Sequence, residues 1–338
     1  MFEEKFEDTD WASRGWYDNP DMVIDTSNRV GDSGGSAEFK WTESGKTVAE
    51  SRGARVLFDP VEGLTISFYV KFNSNWEWTG RGWHPHFILF ITNVDDAYIG
   101  PRRTHLTLYI EPVDGRLVFG MQDGLNIDLD HLGENLVGVT ENRAVAGGNG
   151  DPDGYGGSHY VGDGNVQNSR QIVSDSLFFT DEQGPHYKGD WHQIKAHIQL
   201  NSIIDGKGVA NGVLRYWYDG KLIMDYHDIM MRTGQHPQMK INQFLLLPYF
   251  GPGVPHQQSI WIDELKIIKQ EQELPLTQPG GCDINGNGRI NIADVIAMLL
   301  LGRRNPDDPR LDWNSDGAYG ITDVIALLMD IVKGNCPE

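Results

Sequence analysis

Apolar and polar residues alternate through much of the first 270 positions. The runs GLTISFYVKF (63–72), HFILFI (86–91), HLTLYIE (105–111), RLVFGM (116–121), HQIKAHIQL (192–200), GVLRYWYDGKLIMDY (212–226), INQFLLLPYF (241–250) and SIWIDELKII (259–268) are rich in aromatic and β-branched residues and are bounded by turn formers. YDGKL reads as a hairpin turn. Almost nothing between these runs has the helical period. The pattern predicts a mainly β protein, with 1–270 as one large jelly-roll β-sandwich carrying long loops. The stretch 136–169 has little strand or helix signal and is expected to rim a cleft, as a lid or as a metal site through Asp151, Asp153 and Asp163.

The pattern changes after residue 270. EQELPLTQPG (271–280) has no periodicity and reads as a linker. In 281–338 two apolar helix patterns, VIAMLLLG from Val295 and VIALLMDIV from Val324, each follow a polar loop. The loops are DINGNGRINIAD (283–294) and DWNSDGAYGITD (312–323), and they begin 29 residues apart. Calcium takes six to eight oxygens from a loop that curls around it, with ligands at positions 1, 3, 5, 7, 9 and 12 and Gly at 6. The first loop supplies Asp283, Asn285, Asn287, the Arg289 carbonyl, Asn291 and Asp294, with Gly288 at the turn. The second supplies Asp312, Asn314, Asp316, the Ala318 carbonyl and Asp323, with Gly317 at the turn. Gly320 at its ninth position has no side chain, so water must serve there. A polar turn capping a helix would explain one such loop; it does not explain two in register.

Charge narrows the partners. Lys and Arg number 28 against 48 Asp and Glu, a formal charge of -20. No basic excess exists to displace counterions from nucleic acid or to hold an anionic membrane. No apolar run approaches the roughly 20 residues that span a bilayer. The opening MFEEKFEDTDWASRGW lacks the form of an export signal, so secretion is expected on other grounds, with such a signal already removed ahead of Met1. The two Cys, Cys282 and Cys336, bracket the loop-helix repeat. They are either free thiols or a disulfide; a disulfide is expected, and with it a secreted, oxidising location.

Candidate chemistry comes from two strands. In HLTLYIE, Leu106, Leu108 and Ile110 share one face, and His105, Thr107, Tyr109 and Glu111 the other. In HQIKAHIQL, Lys195, His197 and Gln199 oppose Ile194, Ala196 and Ile198. The polar faces are either merely solvated or a groove. If both strands lie in one concave sheet, His105, Tyr109, Lys195 and His197 line it, and RGWHPH and RRTH bring Arg81, Trp83, His84, His86, Arg102 and Arg103 to its rim. This is a basic cluster in an acidic protein. Arg holds carboxylates bidentately, and aromatic rings stack on sugars. A polysaccharide lyase needs such groups to neutralise a uronate and acidify its C5 proton, plus a base and an acid. Arg103 with His105 or His86 is expected to neutralise, and Tyr109, His197 or Lys195 to act as base and acid. Arg81, Trp83, His84 and Arg102 are expected to bind substrate. A glycoside hydrolase needs two carboxylates flanking the bond; the polar faces show Glu111 alone. A non-catalytic carbohydrate-binding module remains the third possibility.

Two resemblances add to this. The duplicated D-x-N-x-N/D-G loops with Asp at position 12 and a following helix resemble the dockerin module over 281–338. Membership implies a small all-α unit with two calcium ions, docking onto a cohesin domain of a scaffold protein through positions such as Ile292, Ala293, Ile321 and Thr322. It also implies adjacent ends, which suits a Cys282–Cys336 clasp. The front segment is similar to the concanavalin A-like sandwiches of the glucuronan lyase group and their non-catalytic relatives, through FEDTDW, HFILF, HLTLYIE and SIWIDEL. That similarity implies cleft histidines at His86 and His105, with Thr107 where the group carries Arg. It also implies a structural calcium for which Glu7, Asp32 and Asp263 are candidates by position.

Overall fold

In the computed structural model the alternating segments pair into two antiparallel sheets. The residues described are 2–46, 54–78, 85–92, 95–100, 103–149, 159–162, 165–250, 253–269, 282, 284, 290–304, 311–314, 316 and 319–336. The chain divides into two compact units, Met1–Glu271 and Gln272–Glu338.

In the first unit one sheet runs in the order Lys221–Ile229, Gly212–Tyr218, His192–Gln199, Gly63–Phe72, Gln258–Lys269, Ser36–Trp41 and Val23–Asp25, with Phe2–Glu4 also paired to Gln258–Lys269. The other runs His159–Gly162, Asn165–Val173, Arg116–Asp123, Leu106–Val113, Pro85–Thr92, Ile241–Phe250, Ala54–Val61 and Trp16–Tyr17. The fold is a β-sandwich. One face of each sheet is apolar because side chains alternate along a strand. Leu64, Ile66, Phe68, Ile194, Ala196 and Ile198 of the first sheet share a core with Ile88, Phe90, Leu106, Leu108, Ile110 and Phe244 of the second.

This topology corrects the expected groove. The 105–111 and 192–200 segments lie in different sheets, not side by side in one. Their apolar residues meet in the shared core, so Lys195 and His197 point away from it on the side opposite to His105, Tyr109 and Glu111. Alternation gives the face a residue takes; it is silent on which sheet receives the strand.

The 136–169 stretch is also more structured than expected. His159–Gly162 and Asn165–Val173 are paired strands. Residues 144–149 are buried, and Val145 and Ala146 join the core. The buried Asp123 carboxylate accepts from the Val145 and Ala146 amides at 3.1 and 2.7 Å and from Asn126 at 3.0 Å, which ties this segment to the sheet. Asp151, Asp153 and Asp163 lie outside the described residues.

The second unit holds two helices, Ile292–Arg304 and Ile321–Lys333. Their buried faces supply Val295, Ala297, Met298, Val324 and Leu327 to a small core with Ile284, Leu311 and Cys282. Cys282 and Cys336 form a disulfide, with Cα atoms 5.5 Å apart. No described helix is long and apolar enough to cross a membrane.

Candidate active site and metal centre

The outward face of the second sheet carries a connected set of polar side chains. Thr107 pairs with Gln122, and Tyr109 with Gly120, across Leu106–Val113 and Arg116–Asp123. Gly120 has no side chain, and a Cβ there would stand 3.3 Å from that of Tyr109. The Tyr109 ring lies across this space, and its hydroxyl donates to Gln122 Oε1 at 2.8 Å. On its other side the ring meets His86, with centroids 4.9 Å apart. His86 Nδ1 lies 3.0 Å from Glu111 Oε2. Glu111 is 1% exposed, and His86 35%. The result is a chain from Glu111 through His86 and Tyr109 to Gln122, reached from solvent at His86.

His86 and Tyr109 were both expected here, and the structure brings them together. Gln122 was not singled out, although alternation in RLVFGMQ already sets it on the face of Gly120; its place opposite Thr107 comes from the strand register. Glu111 was read only as an insufficient hydrolytic acid; its observed partner is His86.

Other expected members stand apart. His105 begins four residues before Tyr109, about 13 Å along an extended chain. Its ring stacks on His236 with centroids 3.8 Å apart. Burial, and then the neighbouring His236, push the His105 imidazole down to about 4. Arg103 is exposed. Lys195 is exposed with its ammonium 4.6 Å from the Trp217 ring centroid, and His197 is buried with Nδ1 3.2 Å from Thr65 Oγ1. Both belong to the first sheet, so neither shares a groove with Tyr109. Arg81, Trp83, His84 and Arg102 lie outside the described residues.

Of the carboxylates considered for a calcium site in the sandwich, Asp263 lies close enough to Glu7 that burial, and then the Glu7 charge, raise its carboxyl above the ordinary value. Among the described residues, the acidic group whose ligand atoms lie within 4.8 Å of one another is Asp312, Asp316 and Asp323. Glu7 and Asp32 are exposed. Asp263 is buried and accepts from the Val30 amide and the Ser33 hydroxyl, each at 2.8 Å, and from the Glu264 amide at 2.7 Å. Its oxygens are used in closing a turn.

In the second unit the loop before Ile321–Lys333 is shaped by its own acids. Asp323 accepts from the Asn314 amide at 3.0 Å and the Gly320 amide at 2.7 Å. Asp312 Oδ1 and Asn314 Oδ1 each accept from the Asp316 amide at 2.9 Å. These bonds curl the loop so that three carboxylates face one point. Hard oxygen donors in this arrangement fit Ca²⁺. In the first loop Asp294 is buried and accepts from the Asn291 amide at 2.8 Å, as Asp323 does from Gly320. Asp283, Asn285, Asn287, Arg289 and Ala318 lie outside the described residues.

Each helix also leaves an apolar stripe in water. Ile292, Ile296, Leu299 and Leu300 are 44–59% exposed on one, and Ile321, Ile325, Met329 and Val332 are 43–73% exposed on the other.

No protein-family model matches the sequence, and no curated protein matches it. Solved structures similar in fold include an endo-β-1,4-glucuronan lyase from the fungus Trichoderma reesei, at 13% identity and TM-score 0.47, covering 80% of this chain and 95% of that one. An alginate lyase from a Chlorella virus is similar at 12% identity and TM-score 0.46, covering 74% and 90%. An alginate lyase from Aplysia kurodai is similar at 14% identity and TM-score 0.46, covering 75% and 89%.

Proposed function

We propose that the first unit is a secreted polysaccharide lyase that cleaves a uronic-acid polymer by β-elimination. The observation that carries this reading is the Glu111–His86–Tyr109–Gln122 chain. Glu111 accepts from His86 Nδ1–H and so selects the tautomer whose Nε2 carries the lone pair. That nitrogen is the base for the C5 proton. The Gln122 amide N–H groups, oriented by the Tyr109 hydroxyl on its carbonyl, stabilise the negative charge that gathers on the uronate carboxylate. As the C5–H bond breaks, C4=C5 forms, C4–O4 breaks and the leaving oxygen takes the Tyr109 proton. His86 then returns a proton to Tyr109 through solvent. Hydrolysis would need a second carboxylate beside the bond; the described cluster has Glu111, already committed to His86.

A panel of glucuronan, alginate, pectin, xylan and cellulose tests this. A rise in absorbance near 235 nm with a uronate polymer is the expected result. Reducing ends without that absorbance would make the unit a hydrolase, and binding without either would make it a carbohydrate-binding module.

For the second unit we propose a dockerin that binds two Ca²⁺ and attaches the enzyme to a cohesin. In the second loop Asp312, Asn314, Asp316, the Ala318 carbonyl and Asp323 would hold the ion. In the first, Asp283, Asn285, Asn287, the Arg289 carbonyl and Asp294 would do so. Calcium there screens carboxylates that otherwise repel one another. The exposed stripes from Ile292 and Ile321 give a protein partner an apolar surface. Chelation with EGTA should lower the melting of this unit and leave the β-sandwich transition in place. An unchanged calorimetric trace, with no calcium released, would contradict the assignment.

A further inference from the structure

The two loop-helix repeats of the second unit match in spacing, yet they are joined unequally. Tyr319 stands at the eighth position of the second loop, between Ala318 and Gly320. Its side chain leaves its own repeat and rests on the helix of the other, Ile292–Arg304. A Cβ on Gly302 would overlap the Tyr319 ring, so the glycine forms a seat for it. The Tyr319 hydroxyl donates to the Met298 carbonyl, one turn earlier, at 3.2 Å. The ring also packs against the small core. Glycine inside a helix weakens it; here the lack of a side chain is what lets the loop approach.

Among the described residues the repeat does not return this contact. The residue 29 positions before Tyr319 is Ile290, which is 47% exposed. The residue 29 positions after Gly302 is Ile331, whose branched side chain stands where a seat would be. The tie therefore runs from the second loop to the first helix. On that helix Asp294, Met298 and Gly302 recur every four residues along one face, and Asp294 and Met298 are fully buried. Tyr319 thus grips the face that begins with the acid closing the first loop. In its own loop Tyr319 is held by Asp323, which accepts from the adjoining Gly320 amide at 2.7 Å.

We propose that Tyr319 couples the two calcium loops: an ion in the second loop fixes the backbone around Tyr319, the seated ring orders the helix Ile292–Arg304, and Asp294 is thereby placed for the first ion. This rests on the calcium reading of the loops. The coupling is reciprocal, so each ion tightens the other. It also makes the apolar stripe of Ile292, Ile296, Leu299 and Leu300 answer to the second loop.

The test uses the full chain carrying Asp283→Ala and Asn285→Ala, which disable the first loop, and reads amide hydrogen exchange in calcium against EGTA. Calcium should slow exchange at 321–326, beside the second loop, and at 298–303 by about tenfold, near the upper end for one net hydrogen bond. Adding Tyr319→Ala should cut the effect at 298–303 to within about twofold and keep it at 321–326. Gly302→Ala keeps the tyrosine but blocks its seat, and should act in the same way. Tyr319→Phe keeps the seated ring and should keep part of the slowing. Slowing at 298–303 that survives both alanine variants overturns the coupling, as does slowing confined to 321–326 without them. Loss at both segments in both alanine variants makes Tyr319 a general support of the fold and also overturns it. If calcium changes neither segment in the unsubstituted chain, the calcium reading itself fails and the coupling falls with it.

Discussion

His86→Gln should lower the rate of the 235 nm reaction by about 10²–10⁴-fold, the usual worth of a positioned acid or base. Glutamine keeps an N–H that can donate to Glu111, so the buried carboxylate is not stranded and the fold should melt where the native protein does. What it lacks is a nitrogen that can accept a carbon-bound proton. Glu111→Gln should cost less, because it alters the tautomer and orientation of His86 and leaves the base present. The pair of variants separates the roles: a large loss in the first and a smaller one in the second, with KM nearly unchanged in both. Turnover by His86→Gln within threefold of the native rate would remove His86 from the mechanism.

The second large effect concerns the other unit. Replacing both Cys282 and Cys336 by Ser opens a loop with a sequence separation of 54. Loop-closure entropy puts the loss at about 4 kcal/mol. A core built from so few residues, Cys282 among them, has little with which to offset such a loss. Calorimetry should show the second unit's transition moving down steeply, or vanishing, while the β-sandwich transition stays. Dithiothreitol should reproduce this in the native protein. A second transition that ignores both treatments would show that packing and bound cations suffice without the bridge.

The β character of 1–270 could be read because alternation is local: each strand shows its own period-2 pattern whatever lies beside it. The helices of the second unit were readable for the same reason, and the Cys282–Cys336 pairing followed from the way the two residues bracket the repeat. Sheet membership is a long-range property. HQIKAHIQL pairs with 63–72 and 212–218, and nothing in its composition says so. Lys195 and His197 were grouped with Tyr109 for that reason, and His105 because its partner, His236, is 131 positions away. His86 and Tyr109 were legible as chemical types on strands that proved to be neighbours. Gln122 carries no motif; it matters only through the register that sets it beside the Tyr109 ring. The hold on residues 95–100 was invisible as well, since Tyr17, Arg55 and Gln243, which donate to the carbonyls of Ala97, Ile99 and Asp96, come from three separate strands.

The bridge between Cys282 and Cys336 also decides how the molecule bears load. A pull applied along the backbone between the first unit and any point past Cys336 is carried over 5.5 Å of covalent linkage. The two helices lie within the loop that the bridge closes, so the covalent path bypasses them. A pull applied instead through something gripping the stripes at Ile292 or Ile321 travels through the helices and their small core, so the unit would be strong in one direction of stretching and yield in another.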